Sequence, residues 1–438
     1  MRPRRTAARV LAALLLVSCS GGTAPLFDSS EAWTMYQRTA DHNAVVPRSG
    51  FTHTWKLDAG GQINGGMAVR GDVLYVDTLA GDLLAVDLGS GRVIWRAHAP
   101  HSLMSTPVFS GDLVYVGSGT AQLPDGQEPF WGKRDIVMGV RGGDAMYAYD
   151  ARTGALRWSF RTRGQDMPSP AVVGNVLVFA NGDFHAYGLD ARTGNLLWKR
   201  ALPGMATMAS TTPAGDRAFI STCRYVLPYH CSTFALEPRS GRILWQAPYG
   251  NADASPTYAQ STVFVSGLDY TRAGHRWTAL QEAYAVVTAL DPQSGKVKWV
   301  YRDTKPGLPS DVGTAERAIA GTYADGKYFQ ALPGRSVLLA FDAKNGAVLW
   351  QFRSLAPIKM SPLHHRNILY AGGNEGVFYS LNASTGKLLQ LRTFRQPFSC
   401  APPLLVGDTM LVATDRFVHA LPVSSLTDHT ASSGPRQR

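Results

Sequence analysis

Short runs of alternating apolar and polar residues recur along the whole chain; DVLYV (72–76), LLAVD (83–87) and RVIWR (92–96) form the first set. A period of two with one apolar face marks a strand buried on one side. One motif punctuates the runs, Ala-x-Asp-x-x-(Ser/Thr/Asn)-Gly-x-x-x-Trp. It appears as AVDLGSGRVIW (85–95), AYDARTGALRW (148–158), GLDARTGNLLW (188–198), ALEPRSGRILW (235–245), ALDPQSGKVKW (289–299) and AFDAKNGAVLW (340–350). A seventh copy, SLNASTGKLLQ (380–390), carries Gln390 where the others carry Trp. The motif glycines lie between 40 (Gly154 to Gly194) and 63 (Gly91 to Gly154) residues apart. That spacing suits one four-stranded propeller blade with variable loops.

Each unit has a physical logic. The Asp and the Ser or Thr hydrogen-bond the backbone of a tight turn, and Gly supplies its positive φ. Trp95, Trp158, Trp198, Trp245, Trp299 and Trp350 share one outer-strand position, where a large flat ring packs against the neighbouring blade. Trp55, in FTHTWKLDA (51–59), reads as an isolated strand with its ring at the same docking position. The last repeat, CAPPLLVGDTMLVATDRFVHALPV (400–423), has three strands and lacks an outer one. Joining the two completes an eighth blade and leaves no open edge. The expected fold is an all-β, eight-bladed propeller of four-stranded antiparallel blades over 51–425, closed by the N-terminal strand. A tether and lead-in (19–50) precede it, and a polar tail (426–438) follows.

From residue 51 to about 423 the chain resembles the pyrroloquinoline-quinone (PQQ) type propeller superfamily, and AWTMYQRTADHNAVV (32–46) resembles the short lead-in common in that group. One branch holds quinoprotein dehydrogenases, whose funnel binds the quinone with Ca²⁺. Another holds BamB-type outer-membrane assembly lipoproteins, eight-bladed scaffolds without cofactor. The dehydrogenase branch is marked by adjacent ring cysteines, which this chain lacks, and there is no CxxCH haem site. The calcium ligands of that branch find no residue-by-residue match here, so PQQ with Ca²⁺ has no signature support, and no metal site is assigned.

Composition adds the compartment. The formal charge is +11, but Arg2, Arg4, Arg5 and Arg9 all sit in the first ten residues. No basic stripe or reader module points to nucleic acid. MRPRRTAARVLAALLLVSCSGG (1–22) has the basic start, short apolar run and small residues of a secretory signal, too short to span a bilayer. Leu16-Val17-Ser18-Cys19 resembles a bacterial lipobox, which implies cleavage after residue 18 and acylation of Cys19. In an oxidising compartment Cys223 and Cys231, flanking one hairpin loop, are expected to form a disulfide.

Aligning the blades on the second-strand residues Tyr75, Tyr115, Val178, Phe219, Phe264, Tyr328, Tyr370 and Leu411 places the start of each inner strand eleven residues earlier. Those positions are Asn64, Met104, Met167, Met208, Asp253, Arg317, Lys359 and Cys400, and they are expected to ring the channel mouth. Three adjacent Met form a soft apolar arc, and Asp253, Arg317 and Lys359 a charged one. The ring suits an anion or small polar ligand, with Asp253, Asp311 and Glu316 as candidate carboxylates and Asp253 as the candidate general base. A solid channel with mutually paired charges is the alternative, as Met commonly fills gaps. Long insertions fall on the mouth side: 120–143 with Phe130 and Trp131, CRYVLPYHC (223–231), 268–284, and the link between blades five and six. Long aromatic loops on one rim suggest recognition. His98 and His101 read as surface residues, and one of His364 and His365 as a core histidine.

The expected function is an extracytoplasmic, lipid-anchored scaffold, BamB-like, binding an envelope partner of the outer-membrane assembly machinery through its loop-rich face. The alternative is an enzyme at the funnel mouth, either a PQQ-dependent dehydrogenase or a cofactor-free hydrolase of a sulfur oxyanion, a chemistry also known in the superfamily.

Overall fold

The computed structural model describes residues 33–119, 144–224, 230–269, 284–305 and 318–427. The alternating runs form eight antiparallel sheets. The first blade runs outward from Met67–Arg70 through Val73–Asp77 and Asp82–Asp87 to Val93–His98, and six further blades repeat this order. In the eighth, Leu404–Val406, Thr409–Thr414 and Phe417–Pro422 take Trp55–Asp58 as their outer strand, with Trp55 opposite Ala420. The expected closure by the N-terminal strand is therefore present. A second N-terminal strand, Val45–Val46, adds itself parallel to Leu404–Val406 on the inner edge of the same sheet.

Seven outer strands slip by one residue just before the docking position. In the first blade Val93 faces Val86 and Trp95 faces Ala85, so Ile94 is passed over. The same slip recurs in the next six. A bulge of this kind re-aims the following side chain. It leaves Ile94, Leu197 and Leu349 exposed and lays each indole on the turn of the next blade. Trp95 Nε1 donates to the Ala151 carbonyl (3.1 Å), and its ring rests on Gly154, whose φ is +74°. Asp150 holds that turn through the Thr153 N–H and hydroxyl, both 2.9 Å. Trp55, Trp158, Trp198, Trp245, Trp299 and Trp350 donate likewise to Leu88, Ala191, Pro238, Pro292, Ala343 and Ala383. At the joint between the seventh and eighth blades, Gln390 reaches the Ser425 carbonyl (3.3 Å) of a 3₁₀ turn, Val423–Leu426.

Inner strands of a propeller leave one row of backbone groups facing the axis, and buried backbone groups need partners. The lead-in supplies them. The carbonyls of Trp33, Thr34, Ala40, Asp41 and Ala44 accept from Phe109, Val172, Tyr258, Tyr323 and Leu405 N–H, at 2.7–2.9 Å. Asn43 clamps the His364 backbone from both sides, donating to its carbonyl (3.0 Å) and accepting from its N–H (2.9 Å). Residues 33–46 thus cross the channel and touch every blade from the second to the eighth. His42 sits at the centre of this plug with 0% exposure. Its ring nitrogens meet Thr212 Oγ1 (3.3 Å) and Thr257 Oγ1 (3.1 Å) from the fourth and fifth blades. Burial pushes its pKa down to about 3.

Two predictions follow from these packings. A Cβ at Gly194 would lie 2.6 Å from the Trp158 ring, whereas at Gly174, with φ also positive, it meets nothing within 4 Å. Gly174→Ala is expected to cost about 1 kcal/mol of backbone strain, and Gly194→Ala about 2–4 kcal/mol, since overpacking is added; urea unfolding of both variants measures the difference. His42 stays neutral in the folded protein while its unfolded counterpart protonates below about pH 6.5. Its contribution to stability is therefore complete above that pH and is lost as pH falls toward about 3. Against wild type, His42→Gln should flatten the acid limb of stability by about 2–3 kcal/mol between pH 7 and 4.5, read from unfolding midpoints across that window.

Candidate functional site at the channel mouth

The plug closes the channel from below, and above it a cavity of about 40 Å³ remains. That is room for a few waters or one small oxyanion group. Asn64, Met104, Met167, Met208, Asp253, Lys359 and Cys400 all line it. Arg317, Asp311 and Glu316 lie outside the described residues; Ala318, next to Arg317, lines the wall. Cys19, Phe130 and Trp131 also fall outside them.

Local packing fixes each of these side chains. The Ala252 carbonyl accepts the N–H groups of Thr207, Met208 and Ala209 at 2.8–2.9 Å, which locks the fourth blade's ring residue against the fifth. Beside it, the Thr207 hydroxyl donates to Asp253 Oδ1, and the Asp253 N–H is held by Asn251 Oδ1 (2.9 Å). Lys359 is only 6% exposed, a rare degree of burial for an ammonium group. The Cys400 N–H reaches Asn64 Oδ1 (3.5 Å), and the adjacent Ser399 hydroxyl donates to the Ile63 carbonyl (2.6 Å). Cys223 and Cys231 are disulfide-bonded across paired positions of their hairpin. Cys223 also exchanges both backbone hydrogen bonds with Met205 (2.9 Å each), tying the staple to the strand entrance that carries Met208.

Sequence reasoning missed a second layer. Two residues beyond the ring, Ser169, Ser210, Ser255 and Ser361 also line the cavity. Thr106 N–H donates to Ser169 Oγ (2.8 Å), Ser169 N–H to Ser210 Oγ (3.0 Å) and Ser210 N–H to Ser255 Oγ (2.9 Å). The hydroxyls therefore stitch neighbouring inner strands and wet the wall. The same register that produced the ring would have produced them, since strand residues two apart share a face. Tyr36, from the plug, lines the floor; it belongs to no repeat.

Behind the thioether arc lies a buried acidic group. Asp166, next to Met167, accepts from Thr162 Oγ1 (2.6 Å) and Asn181 Nδ2 (3.0 Å). Burial pushes its carboxyl well above the ordinary range, and the nearby Asp144 and Asp183 add to the shift. Asp253 and Lys359 are the acidic and basic ring positions among the described residues. His98 is exposed and meets Asp82 (3.0 Å). His364 is buried, stacks on Phe329 and lies 3.5 Å from Asp325. No group of three His, Cys, Asp or Glu among the described residues is placed to hold a metal ion. A tricyclic quinone needs a cavity several times larger than this one, so the described residues do not fit PQQ with Ca²⁺.

A protein-family model described as "Outer membrane protein assembly factor BamB" matches residues 43–212, 124–271, 215–351 and 334–429. The tetrathionate hydrolase of Acidithiobacillus ferrooxidans is 25% identical over 382 residues, covering 83% of this chain and 73% of the relative. The outer membrane protein assembly factor BamB of Bordetella pertussis is 24% identical over 384 residues, covering 86% and 88% respectively. Among solved structures, BamB from Moraxella catarrhalis superposes with a TM-score of 0.59 at 16% identity, over 84% of this chain and 96% of that one. At that identity the likeness concerns the fold alone.

Proposed function

The chain belongs to the PQQ-like β-propeller repeat family, and from that premise we propose that it is a cofactor-free hydrolase of a small sulfur oxyanion of the tetrathionate type, acting in the channel cavity. One observation carries this reading: a nearly buried Lys359 and the carboxylate of Asp253 share a cavity with the thioethers of Met104, Met167 and Met208. The ammonium group balances a sulfonate. Polarizable thioethers suit a run of divalent sulfur atoms. The similarity to tetrathionate hydrolases over most of both chains supports the same assignment.

The chemistry is redox-neutral. Asp253 takes a proton from a water molecule as general base. The water oxygen bonds to a sulfonate sulfur, and the adjacent S–S bond breaks with its electron pair on the departing sulfur. One water is consumed and no external oxidant is required. The cavity takes the sulfonate end, and the remainder of a longer molecule extends toward the mouth. The lipobox at Cys19 and the Cys223–Cys231 disulfide support placement outside the cytoplasm on a lipid anchor.

A second reading is a BamB-like scaffold that binds an envelope protein through its loop-rich face. It is favoured by the even coverage of the Bordetella relative. Pull-down from solubilised envelopes separates the two, because a scaffold recovers outer-membrane assembly proteins and an enzyme of this kind does not.

The hydrolase reading predicts that purified protein consumes tetrathionate with release of acid. Asp253→Asn should lower kcat by about 10²-fold or more at little change in KM. Lys359→Met should raise KM by about 10-fold or more, as a lost charged contact does. Tetrathionate left intact by the wild type removes the reading, and an Asp253→Asn protein working at the wild-type rate removes the base.

A further inference from the structure

Tyr36 lies in the lead-in, before the family match begins at residue 43, yet its side chain forms part of the cavity floor. Its hydroxyl is 3.3 Å from Ser361 Oγ. The Ser361 hydroxyl donates its own proton to the Ala320 carbonyl (2.9 Å), so the tyrosine is the donor between them. That proton rests on a long bond to a neutral acceptor. An anionic oxygen entering the cavity is a stronger acceptor.

The phenol is held in place from both sides. Thr34 is tied to Val172 of the third blade, and Arg38 N–H closes back on the Met35 carbonyl (3.2 Å). The Arg38 guanidinium donates to the Val45 carbonyl (2.7 Å), bracing the turn that follows. The Tyr36 ring stands edge-on to His42, with centroids 5.2 Å apart at 86°, and His42 is itself pinned to Thr212 and Thr257. Burial and the nearby Cys400 thiol raise the phenol above its ordinary pKa, while Ser361 pulls the other way. It therefore remains an O–H donor at neutral and acidic pH. Lys359 lines the same cavity, so a cation and a preorganised O–H converge on one small space.

We propose that Tyr36 is an oxyanion-binding residue of the channel site, donating its phenolic proton to a sulfonate oxygen held by Lys359. This rests on the sulfur-oxyanion reading and extends it, since the lead-in becomes part of the binding site as well as a plug. The assignment is chemical: Tyr36 recognises the oxyanion head common to thiosulfate and polythionates.

The test is calorimetric titration of the full-length protein with thiosulfate. Tyr36→Phe keeps the ring and its edge contact with His42, and is expected to weaken thiosulfate binding by about 10-fold or more at an unfolding midpoint within about 2 °C of wild type. Gly174→Ala strains a turn where the added Cβ meets nothing within 4 Å and which lies outside the cavity lining, and should leave the affinity unchanged, which separates loss of the hydroxyl from a general loss of stability. Equal affinity of Tyr36→Phe and wild type, or equal weakening by Gly174→Ala, overturns the assignment. Binding lost in Lys359→Met but kept in Tyr36→Phe leaves the anion site standing without Tyr36. Tyr36-dependent thiosulfate binding without tetrathionate turnover leaves Tyr36 standing and removes the hydrolysis. No thiosulfate binding by the wild type removes both.

Discussion

The contact on which this molecule depends is the indole of one blade lying on the turn glycine of the next. It sets the angle between adjacent sheets, and seven near-identical joints leave a fixed gap for the eighth. The eighth joint uses other means, with Gln390 on the Ser425 carbonyl, while Trp55 on Gly91 makes the ordinary joint from the blade shared by the two chain ends to the first blade. Glycine is required at each of these turns twice over, for its positive φ and because the ring occupies the place of a Cβ. A one-residue slip precedes six of the seven docking indoles and re-aims them onto the turn. Any shift in a joint angle would be passed around the circle and would move the residues at the mouth.

This is why so much was legible from the chain alone. A repeat locked by one contact has constant register, and a constant register carries a residue at the second strand to its partner at the mouth eleven positions earlier. The seven ring residues that the structure describes came together in one cavity for that reason. Legibility stopped where the repeat stopped. Nothing in AWTMYQRTADHNAVV marks it as a plug, because its hydrogen bonds run from irregular backbone and side chains to seven different blades and leave no period in the sequence. Tyr36 and His42 were invisible for the same cause. The buried carboxyls of Asp144 and Asp166 were missed for another, since burial of a polar residue is decided by tertiary packing that no local pattern records.

The plug also changes what the channel can do. By pairing the inward-facing backbone groups it removes the water-filled bore that an open propeller would have, and it turns a tunnel into a blind recess. A molecule must enter and leave by the same mouth. Its inner end meets hydroxyls and Tyr36, its flanks meet thioethers on one side and charge on the other. Such a recess offers hydroxyl groups at its floor and polarizable thioethers along its wall.

A scaffold would gain from a different interior. Filling the mouth with Leu or Met at positions 253 and 359 would avoid the desolvation of an ammonium group and a carboxylate, and replacing buried charge by packed apolar residues is commonly neutral or stabilising. The chain instead keeps Lys359 almost wholly out of water and places Asp253, from two blades away, on the same small cavity. It surrounds both with serine hydroxyls already oriented by backbone donors. Stability alone does not account for that arrangement. A mixed cation–carboxylate–thioether recess is the feature on which the proposed oxyanion chemistry rests, and it is at this point that the interior of the propeller departs from the needs of its fold.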